Sequence, residues 1–298
     1  MKHNIYLKVG PVVYDICSER ECSVRDEYRQ FVYRDMSEVE KLGYCRKIYC
    51  QIKVVDRFSN IEGNLIYENP ERMVFVCGER EYRLYAGVKG VCGIYREPEG
   101  KEDCIEIELL RAEIPELEIN LVFLEMLALE RFLLKENALV LHSSYIIWKK
   151  EGIVFTAPSG TGKSTQAELW HRYEGAEIVN GDRSVLWWNP LEKRFDVCGL
   201  PFCGSSGINR NLSAPLRAVV FLEQAPENHA ESCPAPDCIR KMFGEMSINQ
   251  WNPRAVQKSL ELIGKVAEET AMVSLKCNME LEAVETLKRF IEKRCASL

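Results

Sequence analysis

The sequence predicts an α/β protein in which a β-rich N-terminal domain, residues 1–112, precedes a core of alternating strands and helices over residues 113–298. Three observations carry that expectation. The first hundred or so residues hold short β-branched and aromatic runs separated by turn residues and charge clusters. From Ala138 onward, strand-like and helix-like periods alternate. Within that alternation, the stretch Ala157-Pro158-Ser159-Gly160-Thr161-Gly162-Lys163-Ser164-Thr165 lies between an apolar run at 152–156 and a helical pattern at 165–173, the strand, glycine-rich turn and helix order of a phosphate-binding loop.

Taken in order, strands are expected at 5–9, 12–16, 48–55, 65–67, 73–76, 82–85 and 104–108. The mixed charges between them, such as Glu19-Arg20-Glu21 and Glu79-Arg80-Glu81, read as a solvated face. Residues 115–136 read as one long linking helix, with Leu117, Leu121, Leu124, Ala128 and Phe132 at spacings of three and four. Its other apolar residues widen that stripe almost all round, so it is expected to be buried between layers. A hairpin then runs from 139–148 across Lys149-Lys150-Glu151-Gly152 into 152–156. After the helix ends near Gly175, a short strand is expected over 177–183, carrying the acidic residue Asp182 at its end. Further strands are expected at 185–188, 195–199, 218–223 and 272–276, and helices at 237–245, 254–269 and 281–293.

With 298 residues, 46% hydrophobic and 28% charged, the chain is long enough for two packed domains. A net charge of −6 and a pI near 5.5 argue against nucleic acid or an anionic membrane as partner. The most apolar run, 119–134, carries Glu125, Glu130 and Arg131, and Met1-Lys2-His3-Asn4 lacks the apolar core of a signal peptide, so a cytoplasmic location is expected. In that compartment the thirteen cysteines read as reduced thiols. Four pairs share C-x₄-C spacing (Cys17/Cys22, Cys45/Cys50, Cys198/Cys203, Cys233/Cys238), which is wide for structural zinc. Positions five apart on a strand, as at Cys45 and Cys50, face opposite sides of a sheet and favour free thiols.

The chemistry centres on the glycine-rich loop. Backbone N–H groups from Ser159 through Thr165 are expected to surround phosphate oxygens, with glycines at 160 and 162 permitting the backbone angles this needs. Lys163 reaches the outer phosphates, the Ser164 hydroxyl ligates Mg²⁺, and the helix N-terminus adds unpaired N–H groups. The usual first glycine of this motif is Ala157. Two acids compete to complete the site: Asp182, which follows Lys163 closely, and Glu223, which ends the apolar run Ala218-Val219-Val220-Phe221-Leu222. The two choices imply different proteins; the second implies a P-loop ATPase or nucleotide-sensing regulator in which Glu223 polarises water.

Three stretches, in the order Leu141-His142, Ser159-Gly160-Thr161-Gly162-Lys163-Ser164 and Ile178-Val179-Asn180-Gly181-Asp182-Arg183, resemble the HPr kinase/phosphorylase and phosphoenolpyruvate carboxykinase group. They look like the HPr-kinase-related serine kinases found with small peptide-modification systems. The resemblance covers residues 138–225 and implies an α/β P-loop kinase core that uses ATP and Mg²⁺. It implies that Lys163 holds the phosphates, Ser164 the metal, and Asp182 either the acceptor's proton or the metal, with His142 beside the γ-phosphate. The acceptor implied is a hydroxyl, on a serine of a protein or peptide or on a small molecule. In HPr kinases the strand ends in two adjacent aspartates, whereas the first position here is Gly181, and no phosphorolysis signature is present, so phosphorylase activity is not expected. A second glycine-rich stretch, 199–207, reads as a loop over the acceptor or a plain connection. Arg183 reads as a partner of Asp182 or of a phosphate, and Arg210 and Arg217 are further candidates for phosphate or acceptor contacts.

Overall fold

A computed structural model describes residues 3–87, 90–112 and 116–295. The chain divides into two compact units, Met1–Phe132 and Leu133–Leu298.

In the first unit, β1 (His3–Val9), β2 (Val12–Ser18), β3 (Ser23–Val24), β4 (Val32–Tyr33), α1 (Met36–Glu40), β5 (Arg46–Val55), β6 (Asn64–Glu68), β7 (Arg72–Cys77), β8 (Arg80–Gly87), β9 (Gly90–Arg96) and β10 (Cys104–Leu110) precede a short β11 (Glu118–Ile119). Nine strands form one sheet in the order β4-β1-β2-β5-β10-β9-β8-β7-β6, parallel at β2/β5 and β5/β10 and antiparallel elsewhere. Alternation sets the core: Ile5, Leu7 and Val9 are buried while Asn4, Tyr6 and Lys8 are not. The strand β9 was not expected, because Gly90 and Gly93 interrupt its apolar run. A Cβ at Gly93 would lie 2.5 Å from the Met126 methyl, so glycine is what lets Met126 pack onto this strand. Arg83 is fully buried and donates to Glu81 at 2.6 Å and to Glu130 at 2.7 Å.

The single linking helix expected over 115–136 is not formed, and residues 113–115 lie outside the described residues. Leu117 is tied instead to Ser23, whose N–H donates to the Leu117 carbonyl at 2.9 Å, and β11 pairs with β3. Asn120 then starts a new helix, α2 (Leu121–Met126), its side chain accepting the Phe123 N–H at 3.0 Å. Ala128, with φ +51°, breaks the backbone before α3 (Leu129–Lys135). The apolar spacing was real, but it spans an extended segment and two short helices, and the boundary between units falls at Phe132/Leu133 rather than at 112.

The second unit holds β12 (Ala138–Trp148), β13 (Glu151–Thr156), α4 (Lys163–Glu174), β14 (Glu177–Asn180), β15 (Arg183–Asn189), β16 (Arg194–Gly199), β17 (Ser213–Gln224), β18 (His229–Ser232), α5 (Ala235–Glu245), α6 (Pro253–Glu269), β19 (Ala271–Cys277) and α7 (Leu281–Cys295), in the expected order except that β18 was not expected and the strand expected over 177–183 is broken at Gly181-Asp182. Lys149 and Lys150, with φ +50° and +68°, close the β12/β13 hairpin. Strand β17 pairs through its first residues with β16 and through the rest with β13 and β19, both parallel to it. Side chains alternate between two cores. Leu141, Tyr145, Val154 and Val219 pack with Met242 of α5 and Ile263 and Val266 of α6. Ile146, Ile153, Phe155 and Val220 pack with Trp170 of α4 and Leu287 of α7. The sheet is thus covered on both faces, the α/β arrangement the alternation predicts.

Among the described residues, no helix is long and apolar enough to cross a membrane, no group of three or more His, Cys, Asp or Glu side chains is arranged to hold a metal ion, and the described cysteines are free thiols.

Candidate active site

Strand β13 ends at Thr156 and the glycine-rich loop follows it directly into α4. Gly160 and Gly162 adopt φ +80° and +108°, the left-handed region where a side chain is strained. A Cβ at either would meet no atom within 4 Å, so both face open space and the backbone angle is what calls for glycine. Gly162 caps α4, which ends at Gly175 (φ +64°), whose N–H donates to His171 and Trp170 carbonyls. Ser159, Gly160 and Ser164 are exposed, while Thr161, Gly162 and Thr165 are half-buried.

Lys163, which opens α4 at the end of this loop, is buried. Its ammonium donates to the Ala157 carbonyl at 2.8 Å and the Pro158 carbonyl at 3.4 Å. Burial holds it below the usual lysine range, opposed by the negative charge of Glu245 and Asp182. Both carboxylates therefore lie close enough to act on the Lys163 ammonium.

Asp182 lies in the two-residue turn between β14 and β15 and is held on both sides of its peptide. Its N–H donates to the Asn180 side-chain oxygen at 2.8 Å, and its carbonyl accepts the Ser143 N–H at 3.0 Å. Asn180 is fully buried and clamps the turn further. Its oxygen also accepts the Arg183 N–H at 2.9 Å, and its amide donates to Leu200 and Phe202 carbonyls, each at 2.8 Å. The glycine-rich 199–207 stretch therefore packs directly on Asp182. A Cβ at Gly204 would sit 2.8 Å from the Asp182 carboxylate, and one at Gly181 would sit 2.2 Å from the Ser206 hydroxyl. Ser206 thus closes the space beside Gly181 to a side chain.

His142, on β12, pairs in register with Arg183 of β15. Its Nε2 lies 4.0 Å from Asp182 Oδ1 and its Nδ1 lies 3.2 Å from Glu245 Oε2. Arg183 reaches the other Asp182 oxygen at 3.4 Å and stacks over Phe202. The arrangement thus gathers Lys163, Asp182 and His142, the three residues singled out from sequence, and adds Glu245. No local signal marks Glu245: it ends an ordinary amphipathic helix 103 positions from His142. A contact across so many residues is created only by the fold.

Other candidates lie elsewhere. Arg210 forms an ion pair with Glu177 at the start of β14, and Arg217 reaches Glu151 at the start of β13, the strand ends remote from the loop. Glu223 is 65% exposed and its ion pair, at 4.0 Å, is with Lys276. The next residue, Gln224, points to the opposite face of β17 and donates to Gly160 and Thr161 carbonyls at 3.4 and 3.3 Å. A cavity of about 780 Å³ lies in the first unit, lined by Arg20, Cys22, Arg29, Arg34 and others, and contains none of the clustered residues.

The cluster suits a phosphate-bearing ligand with a hard cation. The loop presents left-handed glycines to open space beside a buried lysine, and the oxygen donors at hand, the exposed Ser164 hydroxyl and the Asp182 carboxylate, are of the type Mg²⁺ selects.

A scan against protein-family models and a search of the curated proteins returned no match. Among solved structures, the Hpr(Ser) kinase/phosphatase from Coxiella burnetii is similar over 53% of this chain and 98% of its own, at 12% identity and a TM-score of 0.30.

Proposed function

We propose that the second unit is an ATP- and Mg²⁺-dependent phosphotransferase that passes the γ-phosphoryl group to a hydroxyl, on a serine of a protein or peptide or on a small molecule. The observation that supports this most is the convergence of a buried loop lysine, a pinned carboxylate and a histidine from three separate elements. A sequence resemblance had named the same three residues.

In this reading the N–H groups of Ser159 through Thr165 and the Lys163 ammonium bind the phosphates. Ser164 with Asp182 would hold Mg²⁺, which when bound would neutralise charge on the phosphates. Asp182 receives the proton as the acceptor oxygen bonds to the γ-phosphorus and the bond to the β-phosphate oxygen breaks, releasing ADP. His142 orients the acceptor beside that carboxylate. Catalysis is mainly positional and electrostatic, which is why the turn carrying Asp182 is clamped rather than mobile.

The competing ATPase reading needs Glu223 at the phosphates, and its exposure and ion pair with Lys276 tell against that. The deciding experiment incubates the protein with Mg²⁺ and γ-labelled ATP, with and without lysate. Label on a protein, peptide or metabolite that is lost with Asp182→Asn, while Glu223→Gln retains it, supports the kinase. Release as free phosphate alone, abolished by Glu223→Gln, refutes it.

A further inference from the structure

The site holds two carboxylates that act on Lys163, and they come from different elements. Asp182 belongs to the β14/β15 turn; Glu245 is the last residue of α5. An antiparallel bridge between Met246 and Leu141, in which the Ser247 N–H donates to the Val140 carbonyl at 3.0 Å, ties the end of α5 to β12 just before His142. The Glu245 carboxylate is therefore delivered to the ring from a fixed anchor, with 17% of its side chain exposed. The charged groups facing His142 are Glu245 from α5, Asp182 and Arg183 from the turn into β15, and, through the two carboxylates, Lys163 from α4.

A carboxylate can only accept, so the 3.2 Å contact between Glu245 Oε2 and His142 Nδ1 is a hydrogen bond only when Nδ1 carries the proton. In a neutral ring that leaves the Nε2 lone pair free, and Nε2 is the atom turned toward Asp182. An unconstrained histidine favours the opposite tautomer, with its proton on Nε2. A ring of that kind would direct a donor at Asp182 and offer no acceptor to an incoming hydroxyl.

We propose that Glu245 is a positioning residue that holds His142 in the Nδ1–H tautomer, so that Nε2 accepts a hydrogen bond from the acceptor hydroxyl beside Asp182. This rests on the kinase reading above and supplies what that reading lacks. Ser206 closes the 181 position to a second carboxylate, and Glu245 contributes one from another element, acting through the histidine.

The test combines ring nitrogen NMR with kinetics. In ¹⁵N-histidine-labelled protein at pH 8.5, with the His142 signals assigned by their loss in His142→Asn, the wild-type ring carries its proton on Nδ1. Glu245→Gln keeps an acceptor oxygen and preserves that pattern, whereas Glu245→Met, of similar length, moves the proton to Nε2. Phosphoryl transfer by Glu245→Met falls in kcat by about 100-fold, the scale of a misoriented catalytic group, with KM for ATP within about threefold, and Glu245→Gln recovers most of the loss. A wild-type ring protonated on Nε2 overturns the proposal whatever the variants do. So does a Glu245→Met protein that keeps the Nδ1 proton or turns over like wild type. An Nδ1-protonated ring in a protein that transfers no phosphoryl group leaves the tautomer assignment standing and removes the kinase reading instead.

Discussion

Asn180→Ala is the perturbation that most directly probes how the site is held. The Asn180 side chain is fully buried and makes four hydrogen bonds, two donated to the Leu200 and Phe202 carbonyls and two accepted from the Asp182 and Arg183 N–H groups. At about 1–3 kcal/mol for each buried group left unpaired, the deletion costs at least about 4 kcal/mol if all four groups stay unpaired. The turn is half-buried, so water reaches part of it, and the expected loss is about 2–4 kcal/mol. All five tryptophans (Trp148, Trp170, Trp187, Trp188 and Trp251) lie in the second unit, so tryptophan fluorescence during urea unfolding reports on the unit that contains the clamp. The loop at 157–162 makes none of these bonds. Nucleotide binding by calorimetry is therefore expected within about threefold of wild type, while phosphoryl transfer falls by about 100-fold as Asp182 loses its restraint. A stability loss below about 1 kcal/mol, or unimpaired transfer, would refute the claim that Asn180 fixes the carboxylate.

Two further outcomes follow from packing and burial. Gly181→Asp places a Cβ 2.2 Å from the Ser206 hydroxyl and 2.5 Å from its Cβ, so the variant should lose about 1–3 kcal/mol. Adding Ser206→Gly should recover a good part of that loss, and strict additivity in the urea-unfolding double-mutant cycle would show that Ser206 is not what excludes the side chain. Burial pushes the Cys22 and Cys277 thiols, one in each unit, up to about 11. Because the folded value is the higher one, their contribution is complete below the unfolded thiol value of about 8.5 and is lost as pH rises from there toward 11. Stability of the tryptophan-bearing unit should therefore drop between pH 7.5 and pH 10, by roughly 1–2 kcal/mol from Cys277. Cys277→Ala should flatten that decline; an unchanged slope would assign it to other groups.

Features encoded over a few residues were legible in the sequence. The β12/β13 hairpin, the glycine-rich loop, the helix it opens and the C-terminal helices all lie where periodicity and turn residues indicated. The 115–136 stretch misled because its apolar positions fit a helix wherever the chain turns, and neither the Asn120 cap nor the left-handed Ala128 outweighs that pattern in a linear reading. β9 was missed for the converse reason: its glycines look like turn residues until Met126 is seen filling the space above Gly93.

At the site, sequence alone determined the groups on offer, namely a lysine and hydroxyls at a glycine-rich loop, an aspartate shortly after it and a histidine before it. Tertiary structure alone decided which carboxylates meet which partners. Asp182 is set by a buried asparagine and a loop some twenty residues away. Glu245 reaches His142 because α5 ends against β12, and Glu223 is left in solvent because it stands at the end of β17, where Glu223 and Gln224 are both exposed. The difference is physical. Caps, turns and periodicity arise from steric and hydrogen-bonding rules that act within a turn or two of chain, whereas contacts across a sheet depend on register and on where each helix comes to rest, which no short stretch of sequence contains.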